Sequence, residues 1–256
     1  AHARKGVQMR SRIAKALSLE LKPVAVLLTD TRPERATQIK EGGWGCVAAM
    51  LQAAAKGRTV VFDRKTSGCP GGGTGLGFGN CYTGFPIDLL LSTGGKAELP
   101  DGRAFDMGEG ERFFESPEAA ARWAEALPYR EVPTEFIVCK PLDLVAEGED
   151  VSLVLLFVNP DQLSALVTLA GYRRGAINAT VAPWGAACQS ILFAHAEAES
   201  DNPRGVIGFF DISQRRKIAK DLVSYTMPYG MFLEMESSVD DSFLSTTIWQ
   251  KLRERW

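Results

Sequence analysis

Five cysteines are the side chains of this sequence best suited to chemistry: Cys46, Cys69, Cys81, Cys139 and Cys188. Cys69 and Cys81 bracket six glycines in the stretch TSGCPGGGTGLGFGNCYTGF, residues 66–85. Cys46 follows GGWG and opens an apolar stretch with helical spacing. A helix N-terminus favours the thiolate, which is the nucleophilic and metal-binding form. Cys188 lies in PWGAACQS, again after Trp-Gly and among small residues. Four of the five thiols thus sit where backbone can approach a bulky object. Backbone N–H groups aimed at inorganic sulfide are what an iron–sulfur cluster requires. Cys139, in the apolar EFIVCKPL, reads as plain core.

These flanks lead us to expect one [4Fe–4S] cluster on Cys46, Cys69, Cys81 and Cys188. With four cysteine ligands it would pass electrons; with three, one iron would be open to a substrate atom. The intervals of 23, 12 and 107 residues match no standard ligand pattern, so five inert thiols are the plain alternative. Zinc is disfavoured because the close-spaced cysteine pairs of zinc knuckles are missing.

The glycine run has no side chains to pack. It is therefore expected to be a loop, with Gly71, Gly72, Gly73, Gly75 and Gly77 wrapping a bound group. Several glycines would sit at positive φ with their N–H groups turned inward. Phosphate binding is the other use of such a loop. The spacing does not give G-x-G-x-x-G, and no Gly-Lys-Ser/Thr follows. A flavin- or nucleotide-binding enzyme is kept as an alternative on this loop alone.

Other side chains have weaker claims. Trp44 and Trp184, each before a glycine, could shield a cluster from water or simply fill core. Tyr82, beside Cys81, is a candidate acid or hydrogen-bond donor. His195 lies two helical turns beyond Cys188 and could donate a proton, although a satisfied helix-end histidine is the commoner case. Arg173 and Arg174 could bind an anion or merely cap a helix end. Asp211 reads as an N-cap. Only His2 and His195 are available, so a histidine-dependent triad has little to draw on.

The elements that must position these residues alternate along the chain. VAVLLT (24–29), TVVF (59–62), FIVC (136–139), VSLVLLFV (151–158) and GVIGFF (205–210) read as strands. Helices are expected at 46–57, at 116–127 behind Ser116-Pro117, from Asn159-Pro160 onward, and across GAACQSILFAH. The fold class is α/β or mixed α+β: a central sheet with flanking helices and a glycine-rich cysteine loop. The polar segment 94–112 reads as a surface excursion. With no linker or repeat, residues 1–256 are taken as one domain.

The chain has 256 residues, 45% of them hydrophobic, which suffices for a full core. Its net charge of −2 comes from mixed acids and bases without a basic block, so nucleic acid is not expected as a partner. No apolar run approaches the roughly 18–20 residues of a membrane helix. The basic opening AHARKGVQMRSRIAKAL has no apolar region after it, so no signal peptide is expected. A cytoplasmic location is expected, with a redox partner protein or a small-molecule substrate as partner; self-association is left open.

The segments LKPVAV, GWGCVAAMLQAAAKG, the Cys69 glycine stretch, GAACQS and YTMPYGMF resemble the domain-of-unknown-function family 169. The resemblance runs from about Leu17 to Leu233. It implies a cytoplasmic, cysteine-bearing protein of the kind common in archaea and anaerobic bacteria, and it carries no established reaction. An anaerobic setting favours an oxygen-sensitive cluster over a disulfide. The expected function is thus an iron–sulfur protein in electron transfer or small-molecule reduction. A cluster- or thiol-based sensor or scaffold without turnover is the second reading.

Overall fold

VSLVLLFV is apolar at nearly every position because both of its faces are covered. It is the middle strand of a seven-stranded sheet, and seven of its eight residues are buried. The computed structural model describes residues 11–255. The basic opening segment as far as residue 10, with His2, lies outside them. In chain order the elements are α1 (Arg12–Ala16), β1 (Val24–Thr29), α2 (Val47–Ala55), β2 (Val60–Phe62), α3 (Pro70–Leu76), α4 (Ile87–Leu91), β3 (Lys96–Glu98), β4 (Ala104–Asp106), α5 (Pro117–Glu125) and β5 (Phe136–Pro141). They continue with β6 (Val151–Val158), α6 (Pro160–Gly171), β7 (Thr180–Val181), α7 (Gln189–Ala198), β8 (Gly205–Gly208), α8 (Ile212–Arg215), β9 (Val223–Pro228), α9 (Tyr229–Ser237) and α10 (Thr247–Arg253).

The sheet order is β2-β5-β1-β6-β9-β8-β7, and β3 pairs with β4 in a separate hairpin. Every neighbouring pair in the large sheet is antiparallel except β7 with β8. The fold is therefore mixed α/β, with helices on both faces of one sheet.

Side-chain alternation splits the core in two. Ala25, Leu27, Val138, Val154, Leu156 and Val158 face one layer, filled by Leu166 of α6, Phe232 of α9 and Trp249 of α10. Val24, Val26, Ile137, Cys139, Leu153 and Leu155 face the other, filled by Leu51 of α2, Leu76 of α3 and Ile191 of α7. Each fully buried Leu, Ile or Phe contributes about 1.5–3 kcal/mol of burial, so a two-sided sheet this apolar is a rigid platform. Cys139 pairs with Val26 in register on the second face and is fully buried. Burial pushes its thiol up to about 12. It is core.

Helix starts follow the expected capping chemistry. The Ser116 hydroxyl accepts the Ala119 N–H ahead of α5. Asn159 and Gln162 form a reciprocal capping box at α6.

The glycine run departs from the expected loop. Residues 70–76 form α3, and Gly71, Gly72, Gly73 and Gly75 are helical; positive φ occurs around the helix, at Gly68, Gly77 and Gly79. The physical reason is packing, the very role that bare backbone seemed to rule out. A Cβ on Gly73 would lie 2.7 Å from the Cys81 Sγ, and one on Gly75 would lie 2.7 Å from the Cys188 carbonyl carbon. Helix α3 is made of glycine so that α7 and the Cys81 turn can lie directly on its backbone. Of the run, Gly77, the C-cap that ends α3, and Gly79 beyond it take positive φ.

Candidate functional site

Three of the cysteines occupy the same local position: each stands directly before a helix. Cys46 precedes α2, Cys69 precedes α3 and Cys188 precedes α7. The Gly75–Cys188 approach seats the start of α7 on α3, and the Cys188 thiol donates to the Gly71 carbonyl at 3.1 Å. The Cys69 Sγ accepts the Gly72 N–H at 3.3 Å. Pro70, at the first helical position, has no N–H to satisfy and is preset for the turn. The Cys46 thiol donates to the Gln214 Oε1 at 3.1 Å.

The three thiols are close enough to feel one another's charge. Burial chiefly raises the Cys69 thiol, with Cys46 adding to it and the Gly72 N–H opposing. Burial raises the Cys188 thiol well above its ordinary value, with Cys69, Cys46 and Asp211 all adding. No cation offsets these effects. The helix termini alone do not overcome burial, and both groups are neutral thiols at neutral pH.

Cys81 is placed differently. It lies against the Gly73 side of α3, with its thiol near the Phe78 carbonyl at 3.5 Å. Its thiol is raised mainly by burial; a Thr74 hydrogen bond opposes this, Glu131 adds to it, Arg64 opposes it, and Cys69 adds the smallest effect. Among the described residues no group of three or more His, Cys, Asp or Glu side chains is placed to hold a single metal ion. The thiols are neighbours without a common point of coordination.

A cavity of about 170 Å³ opens above Cys69, Pro70 and Gly71. Its walls are Trp44, Tyr82, Phe85, Phe113, Trp123 and Trp184, with Leu90 and Leu91 of the α4 segment. Trp184 is packed edge-on by Phe113, Phe114 and Trp123 at centroid distances of 5.4, 5.2 and 5.3 Å. Trp44 is 77% exposed at the rim, so it is no core aromatic. The Tyr82 hydroxyl accepts from the Gln189 Nε2 at 2.9 Å, and burial drives its acidity far below that of a free phenol.

Two carboxylates complete the lining. Asp211 is buried and caps α8, accepting the Ser213 N–H and hydroxyl at 2.9 and 2.7 Å. Its N-cap role was legible in the sequence. Glu111 was not foreseen. It ends the 94–112 excursion, which is exposed through β3 and β4 and then folds back so that the Glu111 N–H reaches the Leu90 carbonyl at 2.7 Å. Burial raises the Glu111 carboxyl, the Asp211 charge adds to this, and a Ser213 hydrogen bond opposes it. No local pattern in the sequence marks it, because its position depends on a long-range return of the chain.

His195 does not line this cavity. Its Nδ1 lies 3.2 Å from the Ser152 Oγ, and burial, aided by Arg130, lowers its pKa to about 3. It is a neutral core histidine. Arg174 is held by Glu234 and the Pro203 carbonyl, which leaves it a structural tie and not an anion site.

A family model matches residues 12–238: DUF169, described as "Uncharacterised ArCR". The chain belongs to the DUF169 family. No curated protein and no solved structure matches it. The match covers every cysteine and the whole cavity of this DUF169 protein, and it ends at Ser238, within the turn after α9. Among its described residues no helix is long and apolar enough to cross a membrane.

Proposed function

We propose that this is a cytoplasmic redox protein whose cluster-binding centre is formed by Cys46, Cys69 and Cys188. One observation carries the reading: three thiols from distant parts of the chain, each directly before a helix, lie close enough for their charges to interact, and one of them, Cys69, lines an aromatic-walled cavity. The donor set is all thiol, with charges that act on one another. All-thiol ligation is the hallmark of iron–sulfur clusters. The positive charge that Cys69 and Cys188 lack is what a bound cluster would bring. When bound, such a cluster passes single electrons and, at an iron without a cysteine ligand, polarises a substrate atom.

The remaining residues have their own tasks. Cys81, behind α3, is the fourth ligand of the closed version and is left out of the open one. Its separate setting favours the open version, in which a small molecule is reduced. Trp44, Phe113 and Trp184 keep water from the reacting atoms. Glu111 lines the cavity wall, where its carboxylate can exchange a proton with a bound substrate. A flavin or nucleotide has less support, because the glycine run is a buried helix and its first N–H groups are taken by Cys69.

The visible spectrum of anaerobically purified protein tests the proposal. A broad brown absorption that bleaches in air is expected. A yellow flavin spectrum would move the function to the alternative cofactor. Colourless protein with freely reactive thiols would leave the thiol sensor.

A further inference from the structure

We propose that the cavity over Cys69 takes a compact organic cation, an ammonium or methylated ammonium group, and turns away carboxylates and phosphates. The proposal rests on this cavity being the ligand site, but not on iron being present.

Charge is the first argument. Glu111 and Asp211 line the cavity, and no Lys, Arg or His does. Three guanidiniums adjoin lining residues along the chain: those of Arg112 and Arg122 are exposed and outside the lining, and that of Arg215 is spent on the backbone carbonyls of Phe209, Lys220 and Leu222. An anion would enter a site with two carboxylates and no countercharge. A cation would relieve the repulsion that Asp211 exerts on Glu111.

The walls give the second argument. Trp184 meets Phe113 at an interplanar angle of 70° and Trp123 at 64°, so aromatic surfaces close a corner. Cations are held over such faces by the ring quadrupole, tryptophan best of all. The corner is preorganised, because the Trp123 indole N–H donates to the Trp184 carbonyl at 3.1 Å. Size is the third argument. About 170 Å³ is below the roughly 300 Å³ at which pockets for drug-sized ligands begin. The space suits one small head group and not a nucleotide.

Calorimetric titration tests this with three probes: choline, its uncharged isostere in which carbon replaces nitrogen, and benzoate. The full chain is titrated as purified anaerobically and again after iron removal, with iron measured in both. Choline is expected to bind at least several-fold tighter than the isostere in both preparations, since a cation over an aromatic face gains about 2- to 30-fold. Glu111→Gln should weaken choline several-fold and leave the isostere unchanged; circular dichroism checks its fold. Equal binding of choline and isostere would mean a merely apolar pocket and overturn the proposal. So would tighter binding of benzoate, or no saturable binding of choline. Choline binding confined to the iron-loaded chain would overturn it too, by assigning the selectivity to the cluster. Binding to protein that never holds iron would instead sustain this inference and sink the cluster.

Discussion

At the scale of the residue, the cysteines divide by position. Cys46, Cys69 and Cys188 stand directly before helices, Cys81 lies in a turn on the Gly73 side of α3 and senses Cys69 only weakly, and Cys139 is sealed in the sheet. Serine at Cys46, Cys69 or Cys188 should abolish bound iron, serine at Cys81 should lower it only in part, and alanine at Cys139 should leave it intact. Metal analysis of folded variants checks the order. His195 provides a separate pH prediction. Its folded pKa of about 3 lies below the ordinary value of about 6.5. Between these values the unfolded chain holds a proton that the folded chain does not, so stability falls as pH drops through that window and levels off below it. The loss should be on the order of a few kcal/mol and should shrink in His195→Gln. Urea midpoints at pH 7 and pH 4 read the difference. The division of the cysteines was half legible. Small-residue flanks marked four thiols apart from Cys139, but nothing local told Cys81 from the other three. That distinction arises in the fold: Cys81 lies in a turn after α3, while each of the other three stands directly before a helix.

At the scale of the element, α3 is the least expected feature and the one the site depends on. Two effects oppose each other in it. Alanine for glycine gains up to about 1 kcal/mol of helix propensity, while overpacking a tight contact costs roughly 1–3 kcal/mol. At Gly75 the new methyl would meet Cys188 backbone at 2.7 Å, which cannot swing away, so Gly75→Ala should be destabilising. At Gly71 the nearest atom would be the Tyr82 hydroxyl at 3.3 Å, so Gly71→Ala should fold about as well as the parent. Thermal melts of the two variants test the contrast; equal destabilisation would mean that α3 does not lie against α7 as described. Strands β1, β2, β5 and β6 and helices α2, α5, α6 and α7 were readable from periodicity and caps, because their signals are local. Helix α3 was not, since glycine carries no periodicity and its helix exists only to be covered by its neighbours. Strand β9 carries SYT in its middle, and its buried Ser224 and Thr226 hide the apolar signal that marks the other central strands.

At the scale of the whole molecule, the site joins parts of the chain that are far apart in sequence. Cys188 lies 107 residues beyond Cys81, so a group bound between α3 and α7 would close a long loop, and its binding would become folding energy. By analogy with cross-links over such loops, the gain should be roughly 2–4 kcal/mol. Loss of the group should lower the thermal midpoint. It should also speed amide exchange in residues 66–85 and 183–195 together; exchange that changed in only one segment would place Cys188 outside the site. The account rests above all on the cluster itself, and its most direct test is iron and acid-labile sulfide per chain in anaerobically purified, folded protein. The account predicts about four of each, lost together in Cys188→Ser and retained in Cys139→Ala. Background iron and sulfide after anaerobic reconstitution, or full retention in Cys188→Ser, would contradict it.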